Sequence, residues 1–260
     1  MMKKYCYKLT LEYDGTAYVG WQSQKNDQSI QEALEKALTV MCKERVQVCG
    51  ASRTDSGVHA LGQVAAFHST LDIPSQGVLR GLNALLPEDI RILSVQKVAQ
   101  PFHPIREAQG KIYRYIILND EIASALLRHR SWFVGEKLHL PAMKKAARHL
   151  IGKHDFSSFM GSGSSVKDAI RVLHSLSITT SRRDFFGMGK PSSNGKYIIF
   201  TFKGVGFVRN QIRNMVGTLV EVGRGKRHAE DMPKILAAKN RPAAWQMAPA
   251  QGLYLVKVTF

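Results

Sequence analysis

The chain has 260 residues and ordinary apolar content, but 37 Lys plus Arg face 20 Asp plus Glu, a formal charge of +17. That length allows one large domain or two modest ones, and that charge repels itself unless a polyanion shares the surface, so nucleic acid or an anionic membrane leads the classes of partner. Three cysteines without Cys-x-x-Cys spacing and nine scattered histidines argue against a disulfide framework or a cysteine-rich zinc site, and fit a reducing compartment. No run approaches the roughly 18 apolar residues of a membrane span, and the Met-Met-Lys-Lys-Tyr-Cys-Tyr start lacks a signal-peptide core, so the expectation is a soluble, cytoplasmic protein with no membrane partner.

In chain order, Lys8 to Tyr13 alternates like a strand and stops at the turn signal Asp14-Gly15. Ser29-Ile30-Gln31-Glu32 is a capping box that opens a helix, with Ile30, Ala33, Leu34, Ala37, Leu38 and Met41 on one face. Val46 to Val48 and Gln63 to His68 are expected as strands on either side of an Arg53–His59 loop. Pro74-Ser75 starts a second helix through Leu79, Leu82 and Leu86, and Ile90 to Val98 is the next strand. This order, strand-helix-strand-strand-helix-strand, predicts an α+β unit of ferredoxin-like type.

A second pass begins near Gly110. Lys111 to Leu118 is predicted as a strand, Pro141 to Ile151 as a helix, and Val172 to Thr180 and Lys196 to Phe202 as strands. Val208 to Val222 is a helix and Tyr254 to Phe260 a closing strand, with a polar loop over Ser181 to Gly195. The division expected is 1–106 and 107–260, two ferredoxin-like, RRM-like halves without a residue-level repeat.

Asp55 lies in the run Ala51-Ser52-Arg53-Thr54-Asp55-Ser56-Gly57-Val58-His59-Ala60, in a loop between strands, where functional groups concentrate. A guanidinium two residues away favours an ionised carboxylate, which suits a nucleophile and not a general acid. The same spacing also suits a plain turn-stabilising ion pair. Asp55-Ser56-Gly57 matches the Asp-(Ser/Thr)-Gly of aspartic proteases, but that chemistry needs two carboxylates sharing a proton and no second copy occurs. Glu12-Tyr13-Asp14-Gly15-Thr16 has glutamate where a haloacid-dehalogenase phosphatase needs its nucleophilic aspartate, so Asp14-Gly15 reads as a turn.

Period two puts Tyr113 and Tyr115 on one strand face, as sheet core or as platforms for unpaired bases. In the Phe207–Gly217 stretch, Arg209, Arg213 and Gly217 form a ridge beside the stripe Val208, Ile212, Met215, Val216 and Leu219. That ridge is either a solvated basic face or the source of an ion pair to a carboxylate such as Asp55. Gly217 weakens the helix by about 1 kcal/mol against alanine, which suggests that something passes close to it. Arg224, Lys226, Arg227 and His228 make the densest basic stretch and a candidate phosphate track.

Together these segments resemble the tRNA pseudouridine synthase A family, whose catalytic loop carries the Arg53–Ala60 run. Tyr13 to Gln22, the Tyr113 strand, the Phe207–Gly217 helix and Ala248 to Tyr254 match in order and spacing, so the resemblance spans essentially the whole chain. It implies Asp55 as nucleophile, Arg53 pairing with Asp55 and helping to displace the target uridine, and Tyr113 packed against the flipped base. It further implies Arg213 holding the Asp55 carboxylate and Leu253 in an apolar wall. The implied fold is two ferredoxin-like halves in a continuous, mostly antiparallel sheet flanked by helices, with the catalytic cleft between them. The implied enzyme is a homodimer acting on uridines 38, 39 and 40 of the tRNA anticodon arm. Arg209-Asn210-Gln211 departs from the Leu-His-His common in relatives, which leaves Arg209 without an implied role. Turning uridine into pseudouridine breaks N1–C1′ and joins C5 to C1′ without exchanging electrons or importing a group. The expectation is therefore no cofactor and no metal.

Overall fold

The computed structural model describes residues 5–24, 27–98, 102–163, 168–183, 187, 191–244 and 246–260. The first four residues and much of the centre of the expected 181–195 loop lie outside the described residues. The chain forms two compact units, Met1–Gln109 with Tyr254–Phe260, and Gly110–Leu253. Mixed α/β structure fills both.

The first unit runs β1 (Tyr5–Tyr13), α1 (Ile30–Cys42), β2 (Val48–Gly50), β3 (His59–Ser69), α2 (Ser75–Leu85) and β4 (Ile90–Val98). Its strands lie in the order β4-β1-β3-β2, each neighbouring pair antiparallel. Alternation sets the faces of β1: Tyr7, Leu9, Leu11 and Tyr13 are buried, while Lys8, Thr10 and Glu12 are only partly covered. Ile30, Leu34 and Leu38 of α1 and Val78 and Leu82 of α2 are also fully buried, and the Tyr7 ring stacks on Phe67 at 4.9 Å. At the predicted cap, Ser29 Oγ accepts from the Glu32 N–H at 3.2 Å. The Glu32 carboxylate turns instead to Lys36, one helical turn on, at 2.7 Å.

The closing strand β10 (Leu253–Thr259), expected with the second half, joins the first unit from Tyr254 onward. It pairs in parallel with β3, Tyr254 opposite His59 and Leu255 opposite Ala60. The expected division at 106/107 falls at 109/110, because the Gln109 N–H donates to Thr259 O at 2.8 Å and ties that residue to the strand.

In the second unit, β5 (Gly110–Asn119), α3 (Leu140–Arg148), β8 (Ile170–Ser181), β9 (Lys196–Gly204) and α4 (Gln211–Gly223) correspond to the predicted elements. Sequence reading missed β6 (Trp132–Val134), β7 (Gly152–Asp155) and the short helix α5 (Met232–Ala237). The sheet order is β5-β9-β8-β7, antiparallel throughout, and β6 runs parallel to β5. Its core holds Tyr115, Ile117, Phe156, Phe159, Phe200 and Phe202 together with Met215 and Leu219 of α4.

Helix α4 corrects one expectation. It starts at Gln211, because Asn210 caps it in the left-handed conformation (φ 60°), so Arg209 lies before the helix and cannot share a ridge with Arg213. Every residue of α4 except Arg213 is buried, which replaces the expected solvated basic face with a central core helix. Asn214 is fully buried and satisfied, donating to Phe159 O at 2.7 Å and accepting from Arg241 at 2.8 Å. Gly217 is where the chain comes closest: a Cβ there would stand 1.9 Å from Gln246 O. Gly217→Ala is therefore expected to lower stability by about 1–3 kcal/mol despite its better helix propensity. Thermal denaturation checks this, and a raised Tm would show that the backbone beside α4 gives way freely.

Candidate active site

Residues 51–58 join β2 to β3, and backbone from the segment after β1 grips them. The Trp21 N–H donates to Thr54 O at 3.0 Å, the Gly57 N–H to Tyr18 O at 3.2 Å, and Gly20 and Asp55 form an isolated antiparallel bridge. Gly20 has φ +110°, and a Cβ on it would lie 2.5 Å from Thr54 O, so only glycine lets the two segments meet. Trp21 is buried and packs near Tyr13, whose hydroxyl is 2.8 Å from Thr54 Oγ1.

Gln63, fully buried on β3, holds the other end of the loop. Its carbonyl oxygen accepts from the Ser52 and Val64 N–H groups at 3.2 Å each, and its amide donates to Ser52 O at 2.7 Å. The same amide reaches Tyr13 Oη at 3.4 Å. The sequence reading did not single out Gln63; its signal was a lone amide among the small and apolar residues at the centre of β3.

His59 closes the loop. Its ring is buried and stacks on Tyr254 at 4.8 Å, and Nδ1 lies 3.1 Å from the Gly15 nitrogen and 3.0 Å from Asp14 Oδ1. Asp14 Oδ1 also accepts from the Thr16 N–H and hydroxyl, which makes Asp14-Gly15 the turn expected from sequence. Tyr18 donates to Asp89 at 2.6 Å, and burial together with that carboxylate pushes the phenol far above its ordinary pKa. It stays protonated and acts as a strut.

On this frame Asp55 is partly exposed and Arg53 exposed. The Arg53 charge lies near enough to Cys49 to pull its thiol pKa down, although burial dominates and the net shift is upward. Backbone bonds thus fix the loop that carries both residues.

In the second unit, Tyr113 is 6% exposed and its ring meets Phe207 edge-on at 5.3 Å. Tyr115, on the same strand face, is core: its hydroxyl donates to Pro249 O at 2.7 Å and its ring packs edge-on to Trp132. Both tyrosines are thus buried in this unit, Tyr113 slightly less completely than Tyr115. Arg213, in the first turn of α4, donates through Nε to Ala248 O at 2.9 Å, and the Ala248 N–H returns a bond to Arg213 O. Leu253 is buried at the start of β10.

The expected phosphate track divides. Arg224 is a structural ion-pair residue: its guanidinium bonds the buried Glu221 at 2.7 Å and Glu136 at 3.0 Å. Those carboxylates use the charge that a phosphate would need. Lys226 is well exposed, with Nζ 3.7 Å from Glu221, and Arg227 donates to Ala243 O at 3.2 Å. Lys226 is the more exposed of the two.

The structure is thus a mixed α/β protein with an aspartate on a loop held by backbone bonds, in a strongly basic chain suited to a polyanionic partner. Comparison with known proteins narrows the class. The family model described as tRNA pseudouridine synthase matches residues 10–105 and 146–260. A tRNA pseudouridine synthase A from Acetivibrio thermocellus is 45% identical over 253 residues, covering 97% of this chain and 98% of the relative. Those from Geobacter sulfurreducens and Myxococcus xanthus are 45% and 42% identical, covering 97% of this chain and 98% and 91% of the relatives. The chain belongs to the tRNA pseudouridine synthase family.

Two substitutions test these assignments. Gln63→Leu strands the buried Ser52 peptide groups and is expected to cost about 1–3 kcal/mol in urea denaturation. It should also reduce turnover; unchanged turnover would show that the Gln63 clamp does not position the loop. Arg224→Ala leaves Glu221 buried with only Lys226 nearby and is expected to destabilise by about 3 kcal/mol, while barely changing the salt dependence of RNA binding. A flattened salt slope with unchanged stability would return Arg224 to the phosphate track.

Proposed function

We propose that this protein isomerises uridine to pseudouridine in the anticodon arm of tRNA, at positions 38, 39 and 40, with Asp55 as nucleophile. The observation that carries this reading is the partly exposed Asp55 on a loop held from Gly20, Trp21 and Gln63, in a chain of this family. Rigid backbone contacts keep the carboxylate in place, so it loses little order when it meets the reacting atom.

The target base must leave the helix stack before any group can reach it. Arg53, exposed two residues from Asp55, displaces it; Tyr113 packs against the extruded ring; Leu253 supplies apolar wall; and Arg213 holds the Asp55 carboxylate ionised. Bond by bond, N1–C1′ breaks, the uracil turns, C5 joins C1′, and the C5 proton departs, with Tyr113 a candidate to receive it. Electrons and atoms balance within the substrate, so the proposal needs no cofactor or metal. Lys226 and Arg227 contact RNA phosphates.

The finer architecture belongs to the same reading. The β-α-β-β-α-β succession and β4-β1-β3-β2 order of the first unit support a ferredoxin-like half, and the corresponding elements of the second unit support another. The working protein is a cytoplasmic homodimer.

Uridine C5 loses its hydrogen in this reaction, so tRNA tritiated at that carbon should release label when incubated with the protein. Asp55→Asn is expected to abolish release while tRNA affinity stays within about threefold, because positioning contacts go mostly to phosphate. Retained turnover in that variant would remove Asp55 from the nucleophile's role. A protein that binds tRNA but releases no label, with Asp55→Ala indistinguishable from wild type, would instead be a binding module. Replacing Lys226 and Arg227 should weaken binding across many tRNAs and flatten its salt dependence by about one unit per lost contact. An unchanged slope would make both ordinary surface cations.

A further inference from the structure

Lys111 is the second residue of β5, at its less buried end, two residues before Tyr113 and on the same strand face. It lies opposite Gly204 of β9, which has no side chain to cover it, while the next pair on that face is Tyr113 with Phe202. The side chain is half-buried, and among the described residues it has neither an ion-pair partner nor a hydrogen bond. Three partly buried arginines of this unit are matched: Arg224 by two carboxylates, Arg213 by Ala248 O, Arg241 by Asn214 and Ala244 O. Only burial shifts the Lys111 ammonium, holding it down to about 8, with no counter-charge offsetting the loss of water.

A half-buried, uncompensated cation destabilises the resting protein, and an anion supplied from outside reverses that loss. We propose that Lys111 binds a backbone phosphate of the RNA strand next to the target uridine, which makes it a substrate-positioning residue of the isomerisation. The inference rests on the reading that RNA is the substrate and that Tyr113 meets its target base. Two residues along a strand span about 7 Å, so a base held at Tyr113 leaves the phosphate of the same or the adjoining nucleotide within reach of a lysine side chain. A compact ammonium on a flexible stem suits a single phosphate oxygen. The neutral amine has a rival use, accepting the C5 proton, and the two roles differ in what arginine can replace. Arginine keeps the charge but cannot serve as a base.

The test uses the full-length protein with Lys111→Met and Lys111→Arg, measuring tRNA Kd against salt, kcat and KM for tritium release, and Tm. Lys111→Met is expected to weaken binding and raise KM about tenfold, to lower the salt slope by about one unit, and to leave kcat within about threefold. Its Tm should hold or rise, since an uncompensated charge has been removed; a lowered Tm would mark Lys111 as structural and overturn the proposal. Lys111→Arg should restore affinity and slope to within about threefold of wild type. Unchanged binding and slope in Lys111→Met, or loss of kcat at unchanged KM in Lys111→Arg, would equally overturn it. Wild-type protein that binds tRNA without releasing label would sink the isomerase reading alone, because the phosphate contact is read from Kd and its salt slope.

Discussion

The structure depends first on the close approach of two backbone segments, 18–21 and 54–57. Hydrogen bonds from Trp21 and Gly57 and the Gly20–Asp55 bridge lock them together, and the left-handed φ of Gly20 permits the contact. Gln63 ties the same loop to β3 through both peptide groups of Ser52. The result is a partly exposed aspartate whose backbone is held in place. Main-chain bonds supply that fixity.

The second unit spends its polar groups differently. Helix α4 is buried almost all round; its Asn214 bonds Phe159 O and Arg241, and its Glu221 bonds Arg224. Much of the local basic charge is therefore internal structure. Of the cations in the 224–227 stretch, Lys226 is the most exposed, and on β5 Lys111 stands without a counter-charge among the described residues. A high net charge thus divides into cations that hold the fold and cations left for a polyanion.

How much was legible in the sequence follows from which forces are local. Ile90–Val98 was legible as a strand from its β-branched and apolar residues, and Ser29 marked the start of α1. The Asp14-Gly15 turn was legible because the Asp14 side chain makes it. The short elements β6, β7 and α5 were not, since three to six residues carry too little periodicity and depend on neighbours far along the chain. Of the candidate site, the Arg53–Asp55 loop was visible as a motif, whereas the Gln63 clamp is a tertiary contact. Arg224 misled for the same reason: a run of basic residues looks solvated until a buried glutamate from the preceding helical turn is found against it. The Lys111 side chain reads as one more surface lysine until its burial is known.

The central claim is that the Asp55 loop converts uridine to pseudouridine in the tRNA anticodon arm. The most direct measurement is nucleotide-resolution chemical mapping of pseudouridine in unmodified tRNA transcripts incubated with the protein. The account predicts new pseudouridine at positions 38 to 40 wherever uridine occupies them, and none with the Asp55→Asn protein. Transcripts that stay unmodified, or that gain pseudouridine only outside the anticodon arm, would contradict it.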